Sequence, residues 1–300
     1  PLTYVTAFKE GYAPSNMIMD VPTTFPGGVG QPDYSPVNYD GKYRGPIELR
    51  YALGNSINIV AVKLLGLVGI RDVLRMGYDM GIATFEPTKE NLSRVGLSLT
   101  LGGGEVRFLE LSGAYSAFAN GGKKVLPIAI LKVEDKNGKV LEEFKPRDGK
   151  QVLTPEQAFL ISDILSDNQA RAEVFGLRSA LVVPGRTVAV KTGTTNDRRD
   201  NWTIGWTQGQ VITGVWVGNN DNSPMTEVSS GVTGASPIWR RIIQTALKDK
   251  PNVSFAVPDG IESIDVDALS GYPAHDGFIS RRDYFIAGSV PNDDDPIHAK

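Results

Sequence analysis

The sequence predicts an α+β domain, an antiparallel sheet flanked by helices, and three observations carry that expectation. First, Thr187-Val188-Ala189-Val190, Trp202–Trp206 and Val211–Val217 are β-branched and aromatic runs separated by short polar turns, the pattern of an antiparallel meander. Second, Phe108, Leu111, Tyr115 and Phe118 recur at helical spacing and stop at Asn120-Gly121-Gly122. Third, Ile238, Trp239, Ile242, Ile243, Ala246 and Leu247 repeat that spacing after Ser236-Pro237, read as a cap followed by a first helical residue.

The remaining elements follow in chain order. Leu2, Val5 and Phe8 keep a helical spacing up to Gly11 without a capping residue, as in the tail of a helix whose first turns lie upstream. Tyr12–Gly45 is rich in Pro, Gly, Asp and Tyr and has no period, so it is expected to be an ordered loop bordering a cleft. Pro46 is expected to open a helix over Ile47–Leu53, and Gly54-Asn55 break it before Ile59, Val62 and Leu65 resume the pattern. Ser56-Ile57-Asn58 then sits in a tight corner between two helices. A further helix carries Ile70, Val73 and Leu74.

Ile128–Val133 and Val140–Phe144 around Asn137-Gly138 read as a peripheral hairpin. Thr154-Pro155-Glu156-Gln157 is a capping-box start for a helix reaching about Asn168. After Lys250 the composition shifts to Pro, Asp, Gly and Ser, so residues 1–250 are read as one domain and 251–300 as a short extended appendage. The four tryptophans, Trp202, Trp206, Trp216 and Trp239, have core spacings.

Composition narrows the function classes. A net charge of −3 from 31 basic and 34 acidic residues gives no field for nucleic acid. No cysteine is present, which removes disulfides and thiolate metal sites. With His275 and His298 as the only histidines, both in a Pro/Asp-rich tail, neither a Ser-His-Asp triad nor a His-ligated metal is expected, and no cofactor. No apolar run has the roughly 18 residues of a membrane span, and no signal peptide is visible.

The candidate chemistry centres on Val190-Lys191-Thr192-Gly193-Thr194-Thr195, a strand end running into the turn Asn196–Asp200, where Arg199 and Asp200 are expected to pair. Strand alternation places Lys191 and Gly193 on one face and Thr192 and Thr194 on the other. A cation, two hydroxyls and a residue without a side chain along one edge suit a peptide ending in a carboxylate. A strand that merely ends at a glycine turn is the plainer alternative. Likewise Ser56 and Asn58 could serve only as caps of the helix beginning at Ile59.

Ser56-x-Asn58 with Lys191-Thr192-Gly193 forms a pair of elements known together from penicillin-binding proteins and serine β-lactamases. Around them, Pro36-Val37-Asn38-Tyr39-Asp40-Gly41, Leu49–Leu53, Phe118–Gly122, Gly214–Gly218 and Ser236–Trp239 resemble the transpeptidase domain of bifunctional (class A) penicillin-binding proteins over residues 1 to 250. The resemblance implies cross-linking of peptidoglycan stem peptides through a serine acyl-enzyme, with β-lactams as inhibitors, at the extracytoplasmic face of the bacterial membrane. It implies that Ser56 relays a proton, that Asn58 holds the substrate amide, and that Lys191 supplies positive potential. Thr192 and Thr194 would bind the terminal carboxylate, and Gly193 would let the substrate lie close.

The chain departs from that pattern at one point: no serine is followed three residues later by lysine. The resemblance places the nucleophilic Ser-x-x-Lys immediately before Pro1, along with two strands, the start of the nucleophile helix, a glycosyltransferase domain and a membrane anchor further upstream. The chain is therefore expected to be a fragment, one part of a split enzyme or an incomplete sequence, and to be inactive alone. A D,D-carboxypeptidase or β-lactamase-like hydrolase and a non-catalytic penicillin-binding scaffold are the alternatives.

Overall fold

The fold is built around a helix that has no polar face turned to water. In α1 (Leu2–Lys9) every residue from Thr3 to Phe8 is buried, and its threonine hydroxyls are met internally, Thr6 donating to Leu2 O at 2.8 Å and Thr3 pairing with Thr100 Oγ1 at 2.7 Å. A helix apolar all round belongs inside a packed core. The structure, a computed structural model, describes all residues except 28–31, 147, 196–198, 226–232 and 299–300.

After α1 comes β1 (Met17–Asp20), which pairs antiparallel with β2 (Gly45–Glu48) and leads into α2 (Leu49–Gly54). The helix expected from Pro46 thus begins three residues later. Pro46 lies opposite Met19 in a two-stranded ribbon, where every strand is an edge and a residue without an N–H is tolerated. Helices α3 (Asn58–Val68), α4 (Ile70–Met80) and the short α5 (Lys89–Arg94) follow, and then α6 (Phe108–Ala119).

A two-residue strand β3 (Lys123–Lys124) opens the peripheral segment. Its hairpin, β4 (Lys132–Glu134) and β5 (Val140–Glu143), is exposed along both strands, and β6 (Lys150–Gln151) closes back on β3. The Thr154 capping box is fully formed at the start of α7 (Pro155–Ser166), and α8 (Ala172–Phe175) completes this half.

The principal sheet comprises β7 (Ala189–Thr194), β8 (Asp200–Trp206) and β9 (Ile212–Gly218) in that spatial order, all antiparallel. One face packs on α6 and α7, where Trp206 is fully buried, stacks on Phe118 with centroids 5.5 Å apart, and donates from Nε1 to Ser162 Oγ at 3.0 Å. The other face packs on α9 (Ala235–Ala246) through Trp239 and Ile243. Gly205 makes this second contact possible, since a Cβ there would come within 2.4 Å of the Trp239 ring. Trp202 and Trp216 depart from the expected packing role: the first lines a cavity and the second is 36% exposed.

Ser236 was expected to cap α9 but is its second residue. The buried N–H of Ala235 is instead met by Asn201 Oδ1 of β8 at 2.7 Å, and Ser236 Oγ lies 2.9 Å from Thr203 Oγ1. A partner distant in sequence has replaced the local cap. The tail also differs from an extended appendage. Its strands β10 (Ile261–Asp267) and β11 (Ser280–Ile286) pair along their whole length and bury Val266 and Phe285.

This hairpin is fastened to α2 and α7 by buried charge. Arg50 donates to Asp283 Oδ1 at 3.0 Å and to Asp163 Oδ2 at 2.7 Å, while Arg281 pairs with Asp283 and Glu48. Burial pushes the Glu48 carboxyl up to about 7, against the pull of Arg281. Removing one partner of such a network leaves uncompensated buried charge, which typically costs about 3–5 kcal/mol. Arg50→Ala is accordingly expected to lower unfolding free energy by that amount in urea titrations, and a loss below about 1 kcal/mol, the value of a surface pair, would show that the network is not holding the hairpin.

Candidate active site

The corner between α2 and α3 is shaped by a residue in an uncommon conformation. Ser56 has φ 59°, in the left-handed region that a non-glycine residue adopts only when its surroundings compel it. Two things compel it here. Ile57 N returns to Ala52 O at 2.9 Å with the Ile57 side chain buried, and the preceding Asn55 donates to Ala170 O at 2.7 Å and accepts from Val174 N at 3.0 Å. The result aims the Ser56 hydroxyl at β7.

There it meets Lys191. The lysine Nζ donates to Ser56 Oγ at 2.7 Å across 135 residues of sequence, and to Thr192 O at 2.7 Å. Lys191 is held well below its ordinary 10.5, at about 8, first by burial and then by the positive charge of Arg171. Arg171 lies buried beneath the strand, donating to Val190 O at 3.4 Å and to Leu165 O, and burial draws it down to about 10. It has no motif around it and no sequence pattern distinguishes it from a surface arginine.

The register of β7 on β8 puts Lys191 opposite Ile204 and Gly193 opposite Trp202, on the face shared with Trp206. Thr192 and Thr194 lie on the other face, as alternation predicts. Strand β7 is an edge, and the carbonyls of Val190 and Thr192 point outward to Arg171 and Lys191. The same alternation turns the Thr194 N–H outward. Among the described residues the Thr192 hydroxyl has no hydrogen-bond partner, while Thr194 Oγ1 accepts from Asn201 Nδ2 at 3.3 Å. A Cβ on Gly193 would meet only Trp202 Cβ, at 3.7 Å, so nothing inside the chain demands glycine there.

Asn58 is the first residue of α3, and neither it nor Ser56 caps the helix. The cap position is Ile57, without a side-chain bond, and the N–H of Ile59 is taken by Asn38 Oδ1 at 3.2 Å. Asn38 is itself buried and donates to Asp20 Oδ1 and to Lys42 O, both at 2.8 Å, which fixes the loop before α2 against α3. Asn58 Nδ2 donates to Val37 O at 2.8 Å in that same loop. The loop meets the site through Asn58, but none of its described residues lines the cavity, against the expectation that it borders the cleft; its residues 28–31 lie outside the described residues.

All six predicted site residues, Ser56, Asn58, Lys191, Thr192, Gly193 and Thr194, line a single cavity of about 450 Å³. Pro1 lines it too. Trp202 forms part of the wall, packed on Phe108 with ring centroids 5.3 Å apart. Of the turn expected at Asn196–Asp200, residues 196–198 lie outside the described residues. Asp200 is held by Trp216 Nε1 at 2.7 Å and by Thr195, whose Oγ1 accepts from its backbone N–H at 2.8 Å. Beside the carboxylates of Glu105 and Asp200, the lining supplies a cation, hydroxyls and an amide, which suit a carboxylate-bearing ligand.

A family model described as the penicillin-binding protein transpeptidase domain matches residues 1–244. The chain belongs to this family. It is 34% identical over 266 residues to penicillin-binding protein 1A of Neisseria lactamica, covering 87% of this chain and 32% of that protein. It is also 34% identical over 298 residues to penicillin-binding protein 2D of Bacillus subtilis, covering 97% of this chain and 41% of the relative. The crystal structure of penicillin-binding protein 1A from Haemophilus influenzae superposes with a TM-score of 0.86 at 28% identity, over 98% of this chain and 48% of that one. The chain thus spans about a third to two-fifths of the curated relatives' length.

Within this transpeptidase domain the depressed Lys191 has a consequence for stability. Between about 8 and 10.5 the unfolded chain holds a proton that the folded one has released, so stability contributed through Lys191 rises with pH across that window. Denaturant titrations from pH 7.5 to 10.5 should show this upward contribution in the parent and its loss in Lys191→Met. Parallel profiles for the two proteins would mean that the ammonium is solvated normally.

Proposed function

We propose that these residues form the carboxylate-binding and proton-relay half of a serine D,D-transpeptidase that cross-links peptidoglycan stem peptides. The single observation that supports this most is the Lys191 Nζ to Ser56 Oγ hydrogen bond of 2.7 Å, joining two motifs that are unrelated in sequence. The nucleophilic serine and its lysine base are taken to reside outside residues 1–300, on the N-terminal side of Pro1, whose place in the cavity wall would carry the preceding residue toward Ser56 and Lys191.

In the acylation step the serine oxygen bonds to the carbonyl carbon between two terminal D-alanines, and its proton passes to the base. The oxyanion forms beside the outward Thr194 N–H. Collapse breaks the C–N bond, and Ser56, hydrogen-bonded to Lys191, passes a proton to the departing D-alanine nitrogen. An amine from a second stem peptide then attacks the ester, gives up its proton through the same relay, and releases the serine. Until the terminal D-alanine departs, Lys191 and the Thr192 and Thr194 hydroxyls hold its carboxylate, while Asn58 offers its Oδ1 to the substrate amide and the open space at Gly193 admits the peptide backbone.

A β-lactam presents a carboxylate next to a reactive carbonyl, so it fits the same groups and acylates the serine. The proposed setting is the extracytoplasmic face of the bacterial membrane, with an upstream segment supplying the Ser-x-x-Lys helix, a glycosyltransferase domain and the membrane anchor. Among the described residues no helix is long and apolar enough to cross a membrane.

In the complete protein, Lys191→Ala should slow acylation by penicillin about a hundredfold, since losing one electrostatic contact at a reacting centre costs about 3 kcal/mol. Equal acylation rates would remove Lys191 from the site. Ser56→Ala should slow acylation or deacylation without lowering the melting temperature; unchanged rates with lost stability would leave Ser56 as a structural corner only. Residues 1–300 alone should not form a stable adduct with a fluorescent penicillin on a denaturing gel, and addition of the upstream segment should restore one. A stable label on the isolated chain would show that another serine serves as nucleophile. With a stem peptide and an amine acceptor, cross-linked product is expected, whereas free acid alone would indicate a hydrolase.

A further inference from the structure

Both histidines of the chain lie in the tail, and the structure brings them to one place although sequence reading assigned them no role. One ligand atom from each of Asp267, Asp295 and His298 lies within 4.8 Å of the other two. His298 Nδ1 is 2.9 Å from Asp267 Oδ2, and His275 Nε2 is 3.3 Å from Asp295 Oδ2. The carboxylates are buried, with side chains only 1% and 2% exposed.

Each carboxylate is fixed through its other oxygen. Asp267 Oδ1 accepts from the N–H groups of Leu269 and Ser270, and Asp295 Oδ1 from those of Ile297 and His298, which leaves both Oδ2 atoms facing the imidazoles. Ser270 Oγ also donates to Asp295 Oδ2 at 2.6 Å. His275 has its Nδ1 against Asp276 Oδ2 at 2.9 Å while its Nε2 faces Asp295, so it orients that carboxylate from the outside. The His298 ring is stacked on Phe278, 3.8 Å between centroids and 5° from parallel, so it is held in one orientation.

Among the described residues, neither Asp267 nor Asp295 has a lysine or arginine partner, and each pairs only with a histidine. A dication placed among the three groups would meet two carboxylate oxygens and one imidazole nitrogen. We propose that Asp267, Asp295 and His298 bind a divalent transition-metal ion of the zinc type, with His275 holding Asp295 from outside the ligand set. Imidazole nitrogen with carboxylate oxygen at a compact site suits Zn²⁺, whereas Ca²⁺ and Mg²⁺ take all-oxygen shells. The ion would tie Asp295 and His298 to the β10–β11 hairpin, joining positions 31 residues apart in a stretch without cysteine.

The test uses the complete protein, stripped with a chelator and titrated with Zn²⁺, Mg²⁺ and Ca²⁺ by calorimetry and by thermal melting. Expected are one saturable Zn²⁺ per chain beyond any bound by a His298→Ala/Asp295→Asn variant, and a melting temperature that rises with Zn²⁺ in the parent but not in that variant. His275→Ala should weaken binding about tenfold, and Co²⁺ should give the visible absorption of a site with nitrogen and oxygen ligands. The double variant should still melt cooperatively, since His298 and Asp295 lie outside the core clusters that hold the helices and the principal sheet. Absence of saturable Zn²⁺ binding in a cooperatively folded parent, Zn²⁺ binding unchanged in the double variant, or equal affinity for Zn²⁺ and Mg²⁺ would each overturn the proposal. A stability loss in the double variant that is the same with and without Zn²⁺ would also overturn it, leaving a histidine–aspartate ion pair as the only role.

Discussion

An ammonium group placed between two motifs, and made slightly less comfortable than it would be in water, governs the site. Lys191 is satisfied by Ser56 Oγ and Thr192 O, while burial and the neighbouring Arg171 draw it down to about 8. At neutral pH it remains charged and can attract a carboxylate, yet its proton is more readily given up than that of a solvated lysine. Both properties need a rigid frame. On one side the frame is the β7–β8 ladder; on the other it is the Ser56 corner, kept left-handed by Ile57 in the core and by Asn55 against the segment between α7 and α8.

That frame is layered so that each part of the site rests on a different piece of core. The cavity side of the sheet is backed by Trp206 and Phe118, and the opposite side by Trp239, which lies flush against the strands because Gly205 has no side chain. The loop before α2 is fixed to the first turn of α3 by buried Asn38, so Asn58 is aimed by the loop as well as by its helix. The C-terminal hairpin reaches the same helices through Arg50 and Arg281, which extends the support of α2 to residues far beyond the family match at 244.

Much of this was legible in the sequence because it depends on local pattern. The meander, the α6 period, the Thr154 capping box and the face alternation of Lys191 and Thr192 all follow from spacing and turn chemistry. What could not be read depends on partners distant in sequence. Pro46 carried a helix-start pattern that pairing with Met19 overrode, and the cap of α9 proved to be Asn201 rather than Ser236. Arg171 and Asn38 act through burial, which no local spacing announces. The tail composition suggested an extended chain, yet Asp283 and Arg281 are partners of buried charges at the end of β2 and on α2.

The central claim is that Ser56 and Lys191 act as one unit, and a double-mutant cycle on the acylation rate of the complete protein tests it most directly. Ser56→Ala, Lys191→Met and the double variant should be strongly non-additive, with an interaction energy of about 1–3 kcal/mol, as for residues in one hydrogen-bonded network. Additive effects within about 0.5 kcal/mol, as for independent sites, would contradict the coupling that the 2.7 Å contact implies.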